Sequence, residues 1–341
     1  MYDILIIGTT SGDFGGTNVS LYHMLNFLKH KKIRFYHLET GGIRNRNFLR
    51  SFIMFFKLIY KLYKYSKKSK IISVHLNYSA VPILGPFIYV ISKMQKKNYS
   101  MRIFGGFGYR NKNFIKNKIS LFVVKKSFMY FAQTKSLYNE AKLNNINVEW
   151  FPTVRPNSEI KINSNTCKKL VYIGRIIKEK GILLILEASS KINHDISIDF
   201  YGPIQGGLSS KIFDGYDNIK YRGIIEPKNI YQTLIRYDLM LFPTFYAGEG
   251  YPGIILEALN VGMPIITTNW LDISDIVNDN CALIIEPKKS DKLSKAINKI
   301  CQNDELYLNL CHGAQKQSEI FNLELLYNNF VKIHGVRSNW K

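Results

Sequence analysis

Short apolar runs alternate with helical patterns along this chain, and that alternation, interrupted once, most restricts what it can fold into. Strand-like runs fall at residues 4–7, 34–38, 71–76, 99–104, 129–134 and 148–152, with helical patterns at 19–29, 48–67, 80–94, 114–125 and 136–144 between them. Strands that are apolar throughout and separated by helices imply a parallel sheet covered on both faces. Residues 155–169 break the pattern: they are polar, with Pro156, three Asn and two Ser, and predict a linker. The alternation then restarts, with strands at 170–173, 197–201, 219–221, 239–242, 264–267 and 281–285 and helices at 181–192, 227–236, 252–261, 273–277 and 291–301. The expectation is an α/β chain of two Rossmann-like, doubly wound domains facing a central cleft. The first covers residues 1–154, a linker 155–168, the second domain 169–320 and a helical tail 321–341. Ligands of such sheets bind beyond the carboxyl ends of the strands. The pattern does not decide whether the tail returns to the first domain.

At 341 residues and 46% hydrophobic, the chain is long enough for two such cores and too apolar to be disordered. Charge divides it at the same place. Residues 1–150 carry 25 Lys and Arg against 5 Asp and Glu, whereas residues 151–341 carry 22 against 20. Nearly the whole net charge of +22 thus sits on the first half, which predicts an anionic partner there. Lys57, Lys61, Lys64 and Lys68 fall on one stripe of the 48–67 helix and Phe52, Phe56, Tyr60 and Tyr63 on another. Lys112, Lys116, Lys118, Lys125 and Lys126 extend the excess. A packed helix with a solvated lysine face accounts for that one segment, while the imbalance of the whole half favours peripheral docking on an anionic membrane surface. Nucleic acid is not expected as a partner, because neither a helix-turn-helix nor an aromatic ribonucleoprotein motif is found.

Four cysteines, the first at Cys167, exclude a disulfide framework, and none has the spacing of a zinc ligand set. The start, MYDILIIG, has a strand pattern and lacks the features of a signal peptide. The longest apolar stretches, around 52–63 and 81–91, are interrupted by Lys57 or by Pro82 and Pro86. They fall short of the roughly 18–20 residues of a membrane span. The expected location is the cytoplasm, peripherally at the inner face of the cell membrane.

Chemistry concentrates in residues 242–266, FPTFYAGEGYPGIILEALNVGMPII. A strand ends near Pro243, a glycine-rich loop carries Glu249, Pro252 opens a helix, and Glu257 lies a turn and a half into it. Amides at such a helix start suit a phosphate or sugar oxygen. A carboxylate on the next turn can accept two hydrogen bonds from a vicinal diol such as a ribose. Two solvated glutamates around a helix start are the plain alternative, which the frame of Gly250, Tyr251, Pro252 and Gly253 disfavours. A second segment, YIGRIIKEKG at 172–181, brings Arg175 and Lys180 off a strand end and a helix start. A planar fork of donors and a mobile point charge can there converge on a diphosphate. In a third, GDFGGTNVSL at 12–21, Gly15 and Gly16 precede a helix, so that their amides can approach a phosphate or simply form a tight turn. Neither the Gly-x-Gly-x-x-Gly fingerprint nor a P-loop is present, which disfavours a nicotinamide enzyme.

These three segments resemble the signature elements of the retaining glycosyltransferases of family 4, the glycosyl transferases group 1, which have the GT-B fold. The resemblance implies a nucleotide-sugar donor, linked to uridine, guanosine or thymidine diphosphate, with no cofactor or metal required. It gives Glu249 the sugar hydroxyls, Glu257 the ribose, and Arg175, Lys180 and the Gly15–Gly16 amides the diphosphate. With the basic first half, it implies retaining transfer of a hexose to a lipid-linked, polyprenyl-diphosphate saccharide in surface polysaccharide (O-antigen or capsule) biosynthesis. Two departures stand out. The loop that often carries a family histidine corresponds to residues 100–108, SMRIFGGFG, which has none. Arg102 occupies that region, and His75 is the first-domain histidine best placed at a strand end, so both are candidates for the acceptor or sugar. At 267–277, TTNWLDISDIV replaces a glycine pair and a glutamate, leaving Asn269 and Trp270 either at the donor sugar or in packing. The missing histidine keeps a second function open, a catalytically inactive GT-B module that binds or assembles at the membrane.

Overall fold

The computed structural model describes residues 1–11, 16–41, 48–105 and 114–336. The chain divides into two compact units, Met1–Thr153 with Leu323–Lys341, and Val154–Asn322.

The first unit holds six strands: β1 (Tyr2–Gly8), β2 (Phe35–Glu39), β3 (Ser69–Asn77), β4 (Tyr99–Phe104), β5 (Met129–Ala132) and β6 (Val148–Trp150). They form one parallel sheet in the order β2-β1-β3-β4-β5-β6. Between them run α1 (Gly16–His30), α2 (Phe48–Lys67), α3 (Val81–Met94), α4 (Phe114–Lys125) and α5 (Lys135–Leu143). Only the step from β1 to β2 runs one way along the sheet, so right-handed crossovers put α1 on one face and α2 to α5 on the other. An interior strand covered on both faces needs apolar residues at successive positions, and Ile4, Leu5, Ile6 and Ile7 are at most 2% exposed. On the α2 to α5 face, Leu58, Leu62, Leu84, Ile88, Ile91 and Val123 share a core with Leu5, Ile72, Val74 and Met101.

The second unit holds β7 (Lys169–Ile173), β8 (Ser197–Tyr201), β9 (Ile219–Tyr221), β10 (Leu239–Phe242), β11 (Ile265–Thr268) and β12 (Ala282–Ile285). This sheet too is parallel, in the order β12-β11-β10-β7-β8-β9. Its helices are α6 (Ile182–Ser189), α7 (Ile230–Leu234), α8 (Gly253–Asn260), α9 (Ser290–Cys301) and α10 (Asp304–Ser318). Strand order reverses between β7 and β10, which makes their carboxyl ends the switch point where doubly wound sheets hold ligands.

Three elements differ from the sequence expectations. The helix predicted at 181–192 shortens to α6, which starts only after Gly181, at a left-handed φ of 78°, and ends at Ser189. The helix predicted at 227–236 is a 3-10 turn, Pro227–Asn229, followed by the short α7, and that at 273–277 is one 3-10 turn, Ile273–Asp275. Residues 155–168 are not a free tether. Arg155 is 4% and Cys167 1% exposed, and the Ile162 amide donates to the Val261 carbonyl at 2.9 Å, so the stretch packs within the second unit. The boundary between the units falls inside the expected tail, between Asn322 and Leu323. The last helix, α11 (Leu323–Ile333), belongs to the first unit, where Tyr327 Oη donates to the Ser20 carbonyl at 3.2 Å and Phe330 packs on Phe131 and Phe151. All four cysteines are free thiols.

Candidate active site

The loops that follow β7 and β10 touch along their backbones. A Cβ on Gly181 would lie 2.2 Å from the Pro243 carbonyl oxygen, so only glycine permits the approach, and the Phe245 amide donates to the Glu179 carbonyl at 2.8 Å. That junction fixes where Lys180 points. Its side chain is buried, its ammonium donates to Glu249 Oε2, and it lies over the rings of Phe242 at 4.9 Å and Tyr246 at 5.7 Å. Thr244 Oγ1 donates to the same carboxylate oxygen at 2.9 Å. The Arg175 guanidinium stacks over Tyr246 at 4.9 Å, and its residue is exposed. Trp270 Nε1 donates to the Tyr246 carbonyl at 2.9 Å, which ties the loop after β11 to the same centre.

Arg175, Lys180 and Glu249 therefore come together around Tyr246 at the switch point of the second sheet. The charges are not equivalent. Lys180 and Glu249 neutralise each other out of water, while Arg175 presents its fork of donors outward.

Glu257 belongs to a second cluster. Arg155 Nε donates to Glu257 Oε1 at 2.8 Å, with the two side chains 4% and 14% exposed. Burial raises the Glu257 carboxyl above its ordinary value of 4.5, against the lowering effect of Arg155. Gly253 makes room for this pair, since a Cβ there would lie 1.8 Å from an Arg155 terminal nitrogen. Tyr251 is buried, with its hydroxyl donating to the Asp275 carbonyl at 3.3 Å. Pro252 is the residue that caps α8 rather than one inside its first turn, and Gly250 lies in the loop before it.

The remaining expected residues are placed as follows. Gly15 lies outside the described residues, and Gly16 is the first residue of α1. Asn269 is exposed, its amide donating to the Ile285 carbonyl at 2.9 Å. The indole of Trp270 already has its partner in Tyr246, which fits packing. His75 and Arg102, considered for the acceptor or sugar, are each 1% exposed and engaged by the first unit itself. Arg102 donates to the Pro152 carbonyl at 3.0 Å and lies between Phe104 and Phe151, at 4.6 and 4.7 Å from the ring centres. His75 Nε2 lies 3.0 Å from Ser73 Oγ, and burial, with Arg102 nearby, holds its ring well below the ordinary range. Neither side chain is open to a ligand, and both correct the sequence reading.

Sequence reasoning missed Thr244, Tyr246 and Arg155. The first two stand inside the quoted motif and show no chemistry of their own until the loop folds. The signal for Arg155 is indirect: a glutamate on the buried side of a helix needs a counter-ion.

Residues 154–317 match the profile of the family described as Glycosyl transferases group 1. Among curated proteins, the chain is 30% identical over 129 residues to the teichuronic acid biosynthesis glycosyltransferase TuaC of Bacillus subtilis, covering 37% of this chain and 31% of that one. It is 26% identical over 176 residues to the capsular polysaccharide biosynthesis glycosyltransferase CapM of Staphylococcus aureus, covering 47% and 46%. The chain thus spans only a third to a half of the length of these relatives. Among solved structures, HepE of Anabaena in complex with UDP superposes with a TM-score of 0.78 over 98% of this chain and 99% of that one, at 12% identity. That likeness establishes the GT-B fold, with its two six-stranded parallel sheets. Over its second unit, the chain matches the glycosyl transferases group 1 family.

Proposed function

We propose that this chain is a glycosyltransferase of surface polysaccharide synthesis. It moves a hexose, with retention, from a nucleoside-diphosphate sugar to a lipid-linked, polyprenyl-diphosphate saccharide at the anionic inner face of the membrane. The observation that carries this reading is the convergence of Arg175, Lys180 and Glu249 at the carboxyl ends of β7 and β10. UDP in the crystal of HepE and the polysaccharide roles in the names of the relatives support it.

In the proposed reaction the bond from the anomeric carbon to the diphosphate breaks, and its electron pair leaves with the phosphate oxygen. The acceptor hydroxyl bonds the same carbon on the same face and gives its proton to the departing diphosphate oxygen. Positive charge develops on the sugar ring and negative charge on the diphosphate. Arg175 stabilises the latter from its position on Tyr246, and Lys180 joins it by exchanging Glu249 for a phosphate oxygen. That exchange frees Glu249 Oε2 for the sugar hydroxyls, so donor binding and sugar positioning are one event. Glu257, held by Arg155, accepts from the ribose diol.

Removing one preorganised donor from a developing oxyanion costs about 3–4 kcal/mol in the barrier. Arg175→Ala and Lys180→Ala are each expected to lower kcat by roughly 10²–10³-fold. The assay is a mass-spectrometric screen of uridine, guanosine and thymidine diphosphate sugars with a synthetic polyprenyl-diphosphate saccharide. Turnover like the wild type in both variants removes the mechanism. Saturable donor binding with no turnover for any donor instead selects the inactive binding module.

A further inference from the structure

We propose that the outer surface of α2, α3 and α4 is the face by which the chain docks, and that its partner is the anionic surface of a phospholipid bilayer. This deepens the membrane part of the reading above and rests on that part alone, not on the donor site.

Two of these helices are apolar on the side that faces away from the sheet. In α3, Val81, Leu84, Ile88 and Ile91 are buried, while Ile83, Phe87, Val90 and Met94 are between 41% and 69% exposed. Those four outer residues follow one another at helical spacing and form a second apolar stripe. In α2, Leu58 and Leu62 are buried, and Phe52, Phe56, Tyr60 and Tyr63 are all exposed. The aromatic stripe of this helix is therefore not its core face. α4 adds exposed Ile115 and Phe122. Ring contacts join the helices: Phe55 of α2 meets Phe87 of α3 at 5.3 Å, and Tyr89 of α3 meets Phe122 of α4 at 5.2 Å, while within α2 Phe55 meets Phe56 at 5.8 Å. A contiguous apolar patch of this kind marks an interaction surface.

Charge selects the partner. From Thr40 to Asn139 the chain has 20 Lys and Arg and no Asp or Glu. Lys57, Lys61 and Lys64 on α2, Lys93 near the end of α3, and Lys125 and Lys126 at the end of α4 are exposed beside the apolar stripes. A second copy of the chain would oppose two such faces and repel. A polyanion such as nucleic acid would answer the lysines and leave the aliphatic stripes of α3 in water. An anionic bilayer answers both, with phosphates for the ammonium groups and the acyl boundary for the rings. No described helix is long and apolar enough to cross a membrane, so the contact is interfacial.

The test sediments the full chain with phosphatidylcholine vesicles, with and without phosphatidylglycerol, at low and high salt. The expected result is binding that needs phosphatidylglycerol and weakens as salt rises. Lys57→Glu/Lys61→Glu/Lys64→Glu should weaken it by about tenfold or more, since each lysine contributes separately at an anionic surface. Phe56→Ser/Tyr60→Ser/Phe87→Ser should remove the salt-resistant part. Both triple variants replace exposed side chains, and thermal melts check that they stay folded. Equal binding to pure phosphatidylcholine, no sedimentation with either vesicle, or a wild-type dimer that these variants make monomeric would each overturn the proposal. Transfer to a water-soluble acceptor reports on the other reading separately. If vesicle binding behaves as expected and no donor turns over, docking stands and glycosyl transfer falls.

Discussion

Replacing Arg155 by methionine keeps the aliphatic stem in place and removes the guanidinium that bonds Glu257 at 2.8 Å. The carboxylate left behind is 14% exposed, so water replaces little of what is lost. Removing one partner of a buried ion pair costs about 3–5 kcal/mol when the remaining group stays charged. Glu257 has an escape, which is to take up a proton. Burial already holds its carboxyl above 4.5 with Arg155 present, and without the guanidinium that value rises further. Between the ordinary value of 4.5 and that raised one, the variant is destabilised by the work of protonating the acid, about 1.4 kcal/mol for each pH unit, and above the raised value the loss levels off.

The sign follows from linkage. A carboxyl whose folded pKa lies above its unfolded one binds more protons in the folded state, so its contribution is present at low pH and lost as pH rises. The deficit of Arg155→Met should therefore be smaller at pH 5.5 than at pH 8, where it reaches the 3–5 kcal/mol range. Urea unfolding at the two pH values reads it, with Glu257→Gln added in the same background as a control that should recover most of the loss. A deficit below about 1 kcal/mol at both pH values, as for an exposed pair, refutes the argument.

Two further predictions concern stability. Burial lowers the His334 ring to about 4 and His75 well below the ordinary range. The unfolded chain then binds more protons between about pH 6.5 and 4, so stability should fall as pH falls through that window, by roughly 3 kcal/mol at most from His334. A urea midpoint unchanged from pH 7 to pH 5 would contradict this. Gly181→Ala meets both a left-handed φ of 78° and the Pro243 carbonyl oxygen 2.2 Å from the new Cβ. The expected loss is about 2–4 kcal/mol, the sum of backbone strain and overpacking. Gly207→Ala has a similar φ of 77° and nothing within 4 Å, so it isolates the backbone part. Equal melting temperatures for the two variants would show that the contact with Pro243 is not the cause.

Two doubly wound halves were legible because interior strands buried on both faces must be apolar at successive positions, and that demand is local; the GT-B fold itself was read from the resemblance of the loop motifs. The linker at 155–168 was misread because composition reports polarity and not whether it is satisfied. Ser158 Oγ donates to the Ile160 carbonyl at 2.7 Å and Lys161 Nζ to the Asn260 carbonyl, so this polar stretch lies packed on the second unit. Motifs in short loops were legible for a similar reason. The segments at 172–181 and 242–266 carry their glycines, cations and carboxylates within a few residues of one another, and the switch point between β7 and β10 brings the two segments together.

Which charge answers which was not legible. Glu249 pairs with a lysine 69 positions away and Glu257 with an arginine 102 away, and no local rule sets either match. Arg102 shows the same limit from the other side. A cation at a strand end reads as a ligand contact until Phe151, from beyond β6, closes over it at 4.7 Å. The distinction matters for mechanism. From sequence, Lys180 is a phosphate-binding cation and Glu249 a separate sugar contact. In the folded protein each holds the other, and the reaction proposed above would make the pair a single device in which binding the diphosphate exposes the carboxylate. Glu249→Gln then makes a sharp test of that coupling. It should tighten binding of a nucleoside diphosphate lacking the sugar, because the ammonium no longer has to leave a carboxylate, while lowering kcat with the full donor. Weaker binding of the diphosphate would mean that Glu249 only orients Lys180, and the proposed exchange would not occur.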